Sequence, residues 1–136
     1  MKKICVYELG TGKVRWTVDV PEAMAEAQTA GHDDLDQIEV TDQVNGRTHY
    51  ILDGVVTARP VMAFGKLAIA ADDADEAKLV LDRPFAADVD GQVVEVTDPD
   101  EAGDYVLALT SPMPAAYRVR VIEWPYQEYD TMVVAS

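Results

Sequence analysis

Any chemistry in this chain would start from its two histidines and its many acids. His32 stands in the stretch GHDDLD with Asp33, Asp34 and Asp36. An imidazole nitrogen and several carboxylates converging from one side can ligate a metal ion. The same residues follow Gly31 at the end of an Ala-rich run, where His and Asp are common in turns, and the turn is the simpler reading. His49, in THYILDG, lies in an alternating run beside Tyr50 and reads as a cross-strand packing residue rather than a base.

The acidic phrases carry no complete metal motif. In ADVDG, setting Gly91 at the sixth position of a calcium loop puts Ala86 first and Thr97 twelfth, where carboxylates are needed. Asp90-Gly91 reads instead as a hairpin turn. DDADE and DPDEAGD read as solvated loops, with loose calcium binding between them as the alternative. The chain has no Gly-x-Ser-x-Gly elbow, phosphate-binding loop, dinucleotide fingerprint or His-Glu-x-x-His helix. ELGTGK lacks the spaced glycine and the Ser or Thr of a phosphate loop. Among 25 acids some glycosidase-like pair can always be drawn, so that signal has no value. No catalytic residue, cofactor or metal site is assigned, and the expectation is a protein that is not an enzyme.

The surface candidates are aromatic and basic. EWPYQEYD gathers Trp124, Tyr126 and Tyr129 around Pro125. Flat rings with polar edges serve sugar faces or protein partners, and equally they can plug the end of a small core. Arg118 and Arg120 alternate on one strand face just upstream, able to pair with local acids or to meet an acidic neighbour.

These residues need elements to hold them. KKICVYEL alternates as a strand with one or both faces covered, and KVRWTVDV returns after Gly10-Thr11-Gly12 with Val14, Trp16, Val18 and Val20 predicted on one face. Pro21 and Glu22 suit a helix start, and PEAMAEAQTA up to Gly31 predicts about three turns, with Met24 and Ala27 against the hairpin. Asn45-Gly46 and Asp53-Gly54 each predict a two-residue hairpin. Past Pro60 the runs KLVLD, FAADVDGQVVEVT, YVLALT, AYRVRVIEW and YDTMVVAS are short strands separated by turn chemistry. Ile122 and Trp124 fall out of phase with Val119 and Val121, which predicts a bulge or twist.

The expected fold is therefore mainly β (α+β overall). Residues 1–60 form a β-hairpin–helix–β-hairpin (ββαββ) module with a short fifth strand, and residues 61–136 a small immunoglobulin-like antiparallel β-sandwich. The hallmark Cys-Trp-Cys spacing of true immunoglobulin domains is absent. Asp53-Gly54 and Arg59-Pro60 mark the joint, because proline cannot donate to a sheet ladder and biases its predecessor toward extended backbone.

Bulk properties narrow the function. The 136 residues are 49% hydrophobic, enough for a core, and carry 25 acidic against 11 basic side chains, a formal net charge of −14. Such a field repels phosphate backbones and anionic lipid surfaces, so neither nucleic acid nor membrane is an expected partner. The single cysteine, Cys5, excludes an internal disulfide and reads as a buried hydrophobe. MKKICVYELG has no apolar core followed by a cleavage site and does not read as a signal peptide, so synthesis and maturation in the cytosol are expected.

Two phrases resemble a family. HYILDGVVTARPVM, with its His-Tyr pair, Asp-Gly turn and Arg-Pro followed by Met, and AAYRVRVIEWPYQEYD resemble phrases in small virion structural proteins of tailed bacteriophages and prophages. Here Ala63-Phe64 follow Met62 where the family has a proline, and Pro112, Pro114 and Ala115-Ala116 stand where it has a glycine before the tyrosine. The resemblance implies a non-enzymatic component of the tail, baseplate or tail-fibre attachment, made in the host cytoplasm and located in the virion. Other virion proteins would be its partners, with homo-oligomers inside the particle. Edge strands and the aromatic patch would supply the contacts, by strand addition. A carbohydrate-binding module with Trp124, Tyr126 and Tyr129 as its platform is one alternative, and a capsid decoration protein another.

Overall fold

A computed structural model describes residues 1–41 and 44–136. The described chain is mainly β, with several antiparallel sheets, and it divides into two compact units, Met1–Arg59 and Pro60–Ser136.

In the first unit β1 (Lys2–Glu8) and β2 (Val14–Val20) form the expected hairpin, closed through Gly10 and Gly12 at positive φ. The predicted single apolar face of β2 is not formed. Val6 lies opposite Trp16 but Tyr7 lies opposite Val14, so Arg15 is the extra residue of a bulge. A one-residue slip reverses every later side chain. Val18 and Val20 therefore pack with Ile4 and Val6, whereas Val14 packs with Cys5 and Tyr7, and Trp16 is 37% exposed.

The predicted three-turn α-helix is also corrected. The segment makes two short 3₁₀ turns, Glu22–Met24 and Glu26–Thr29, with i→i+3 bonds such as Met24 N to Pro21 O at 2.9 Å. Isolated helices of this length are marginal unless an apolar face is buried. Here Met24 is exposed, and Ala25 is the residue of the segment that reaches the core. Gln37 fixes the segment instead, donating from Nε2 to Ala25 O at 2.7 Å and accepting from Thr29 Oγ1 at 3.1 Å.

β3 (Leu35–Glu39) pairs antiparallel with the other side of β1, giving the order β2-β1-β3. Central β1 is buried on both faces, with Ile4 and Val6 in one cluster and Cys5 and Tyr7 in another. The Asn45-Gly46 hairpin does not form among the described residues. β3 ends at Glu39, short of the turn, and Gly46 lacks the positive φ of a type I′ turn. Asn45 instead caps a local turn, its Oδ1 accepting from Arg47 N and its carbonyl from Thr48 N and His49 N. Asp42 and Gln43 of that expected hairpin lie outside the described residues. The hairpin of β4 (His49–Leu52) and β5 (Val55–Ala58) forms as predicted, with Asp53 at φ 51 and Gly54 at φ 77.

The second unit contains β6 (Ala68–Ile69), β7 (Ala77–Leu81), β8 (Phe85–Val89), β9 (Gln92–Val96), β10 (Tyr105–Leu109), β11 (Ala115–Val121) and β12 (Tyr129–Ala135). They form a five-stranded sheet, β6-β12-β11-β8-β9, and a two-stranded sheet, β10-β7. β6 runs parallel to its neighbour β12, and the other pairs of the unit are antiparallel. Alternation along each strand sends Leu79, Leu81, Leu107 and Leu109 from the small sheet, and Phe85, Val119, Val121 and Val133 from the large one, into a single core cluster. Full burial of a Leu or Val contributes about 1.5–3 kcal/mol. Ile122 and Trp124 do not continue β11 through a bulge. The strand ends at Val121, Ile122 is exposed, and a turn containing a cis Trp124-Pro125 peptide leads toward β12.

Candidate functional site

The aromatic group of EWPYQEYD spans the turn between β11 and β12 and the first residue of β12, and Trp124, Tyr126 and Tyr129 are all partly buried. Tyr126 and Tyr129 pack against the core of the second unit. The Tyr126 hydroxyl donates to Asp82 Oδ1 at 2.9 Å, and the Arg83 guanidinium lies over the Tyr126 ring, 5.4 Å from its centroid. Arg83 Nη1 also reaches Trp124 O at 3.3 Å. The hydrogen bond from Arg83, then that from Tyr126, holds the Asp82 carboxyl below its ordinary range. Tyr129 is used in the same internal way. Its hydroxyl accepts from Phe64 N at 3.2 Å, and its ring is tilted against Phe64 with centroids 6.1 Å apart. Both tyrosine hydroxyls, the parts best suited to a sugar or a partner, are thus engaged within the unit.

Arg118 and Arg120 share the outer face of β11, as their spacing predicts. Arg118 makes a two-point contact with Asp130 across the β11–β12 pair, Nε to Oδ1 at 3.0 Å and Nη2 to Oδ2 at 2.7 Å. Arg120 Nε lies 3.8 Å from Asp130 Oδ2. The Arg118 hydrogen bond, supported by charge, lowers the Asp130 pKa and raises that of Arg118. The two arginines therefore meet a local acid, Asp130.

At the joint, the division of the chain falls between Arg59 and Pro60. Arg59 is tied back to the turn ahead of β4. Its backbone N donates to Thr48 O at 2.7 Å, and Nη1 donates to Gly46 O at 2.9 Å and to Arg47 O at 3.2 Å. Pro60 O accepts from Gln127 N at 2.9 Å. Asp53 and Gly54 supply turn backbone.

The remaining candidates are structural. His32 is exposed, and its backbone N closes the turn through Ala30 and Gly31 onto Thr29 O. His49 Nδ1 lies 2.8 Å from Thr48 Oγ1. Asp88 Oδ1 accepts from Gly91 N and Asp90 Oδ1 from Arg118 N, so both acids order the β8–β9 turn. Asp72 and Asp100 cap their own loops through backbone N–H groups, which lowers the Asp72 pKa. Among the described residues, no group of three or more His, Cys, Asp or Glu is arranged to hold a metal ion. Burial pushes the Cys5 thiol pKa up, the opposite of what a reactive thiolate needs.

A groove of about 280 Å³ lies in the first unit, lined by Tyr7, Glu8, Gly12, Ile51, Asp53 and Gly54 among others. It exists because the β1–β2 turn docks on β4. Gly12 O accepts from Ile51 N at 2.8 Å, and a Cβ on Gly12 would stand 1.8 Å from Ile51 O. The ionisable side chains of its lining are Tyr7, Glu8 and Asp53. No protein-family model, curated protein or solved structure matches the chain.

Two structurally important contacts were not anticipated from the sequence. Arg83 meets Trp124 and Tyr126 more than 40 positions away, a pairing without a local signal. Tyr117, near the start of β11, places its hydroxyl 2.7 Å from Oγ of fully buried Ser111, which donates onward to Met113 O at 2.6 Å. A tyrosine two positions before an inward core residue, here Val119, was the available clue.

Proposed function

We propose that the chain is a non-enzymatic structural protein of a tailed-bacteriophage or prophage virion, acting through protein–protein contacts at the tail, baseplate or fibre attachment. One observation carries this reading: the two phrases HYILDGVVTARPVM and AAYRVRVIEWPYQEYD resemble phrases of that family. The first phrase builds the β4–β5 hairpin and the unit boundary, and the second builds β11 and the turn toward β12.

We further propose that Pro60–Ser136 is a small immunoglobulin-like β-sandwich. A five-stranded and a two-stranded sheet share one core, and the first strand of the unit runs parallel to the last, features that suit this architecture. Tyr117, two positions before Val119 where the second disulfide cysteine would stand, parallels the tyrosine corner of such folds, although its hydroxyl meets the Ser111 side chain rather than upstream backbone. The net charge of −14 favours protein partners over nucleic acid or anionic membrane.

The test is co-sedimentation with particles induced from the strain that carries the gene. The chain should travel with intact virions through a density gradient and resist a salt wash. Recovery only in the soluble lysate would overturn the proposal. Immunogold labelling of the head shell would move the protein to the capsid-decoration class.

A further inference from the structure

The outer edge of the large sheet has a chemistry that selects a partner. Among the described strands β9 pairs with β8 alone and ends the five-stranded sheet. The Asp90-Gly91 turn makes Val89 and Gln92 the pair that exchanges both backbone bonds, and by alternation Val94 and Val96 also bond inward. Val93 and Glu95 then direct their N–H and C=O groups to the free edge. Natural proteins blunt such edges with charged side chains, above all lysine, and with proline, bulges or very short strands. β9 has no proline, lysine or bulge: QVVEV is five residues long, its register with β8 is unbroken, Val93 is 66% exposed, and its one charge, Glu95, is acidic. The opposite edge, β6, has only two residues.

The charge at both ends of β9 is acidic. Asp88 and Asp90 precede it, and Asp98, Asp100, Glu101 and Asp104 follow in the loop to β10. The arginines on the same sheet, Arg118 and Arg120, already share Asp130. A second copy pairing antiparallel through its own β9 would set acidic end against acidic end, which charge repulsion opposes. An edge whose own charge, Glu95, and whose flanks are all acidic thus disfavours self-pairing and favours a strand of opposite charge.

We propose that β9 is a strand-addition site for an extended segment of a partner protein, with alternating apolar or Thr residues over about five positions and Lys or Arg on both flanks. The inference rests on the structural-protein reading for its biological context and names the surface through which that contact is made.

The test uses the full chain, ¹⁵N-labelled, at low ionic strength. The probe is a ten-residue peptide of alternating Val and Thr with two lysines at each end. It should bind with slowed amide exchange at Val93 and Glu95, and weaken at least tenfold in 0.5 M salt. Val93→Pro removes one outward N–H without touching the β8 pairing and should weaken binding at least tenfold. The Asp98→Lys/Glu101→Lys variant keeps the edge backbone and should weaken the lysine peptide several-fold while improving binding of a glutamate-flanked one. No binding, binding without protection at Val93 and Glu95, or equal binding of both peptides to the unmodified chain would overturn the proposal. So would a concentration-dependent dimer that protects the same two amides without peptide. Each of these results leaves the virion test untouched, so the two readings fail separately.

Discussion

Met1–Arg59 and Pro60–Ser136 are both built from short antiparallel strands, yet they bury their apolar residues differently. In the first unit β1 is covered on both faces, dividing the buried apolar residues among those described between a cluster of five and a cluster of four. In the second unit the strands of both sheets turn their apolar faces into a single cluster of fourteen. A thin core depends on single close contacts such as Gly12 against Ile51, whereas a large one spreads its stability over many neighbours. The first unit should therefore be the less stable, and substitutions can separate the two.

The largest effect should come from Leu79→Ala, which empties the centre of the fourteen-residue cluster and costs about 3–4 kcal/mol. Urea titration followed by amide resonances should show the second unit melting early, with first-unit amides little changed. A uniform shift of both units would mean that the two cores do not melt independently. Next, Gly12→Ala should cost the first unit about 2–3 kcal/mol, combining a positive φ with a Cβ driven into Ile51 O. Gly54→Ala, at similar φ but in open space, should cost only about 1–2 kcal/mol. Equal losses would mean that the docking of the β1–β2 turn contributes little.

Tyr117→Phe should cost the second unit about 1 kcal/mol, since Ser111 keeps its bond to Met113 O. Acid should act on the second unit through Asp72, held low by backbone hydrogen bonds, and through Asp75, Asp82 and Asp130. The folded-state pKa values of the last three lie below the ordinary carboxylate range, chiefly through hydrogen bonds from Lys66, Arg83 and Arg118 respectively. A depressed folded pKa gives stability that is present above the unfolded value, about pH 4, and lost as pH falls through the folded value. The unfolding midpoint should hold from pH 7 to about 4 and decline below that. Asp72, Asp82 and Asp130 are exposed and Asp75 is partly buried, so the decline should be shallow. The smallest effect belongs to Arg118→Ala, which should cost less than about 1 kcal/mol, because even a two-point ion pair contributes little when it is exposed to solvent.

Turn chemistry explains how much of this fold was legible. Asp53-Gly54 and Asp90-Gly91 stand between two adjoining alternating runs, and both form the predicted hairpins. Asn45-Gly46 carries an equally strong local signal and fails. β3 pairs with β1 and ends at Glu39, so it does not extend to Asn45 as one arm of a hairpin. A dipeptide reports what the backbone can do, and the strand pairing decides whether it does so.

The remaining differences have the same origin. The bulge at Arg15 has no local marker, yet it moves Val14 to the face opposite Val18. The Ala-rich run had helix propensity but placed only Ala25 in the core, too little to hold a helix. In the aromatic turn the ring types were legible, but their use was not. Asp82 engages Tyr126 from 44 positions away and Phe64 engages Tyr129 from 65. No spacing within EWPYQEYD encodes those partners.

The most direct test of the functional reading is quantitative mass spectrometry of gradient-purified particles induced from the strain that carries the gene. A virion component should appear at a fixed ratio to the tail proteins, unchanged by a high-salt wash. Its absence from intact particles, with the protein present in the same lysate, would contradict that reading.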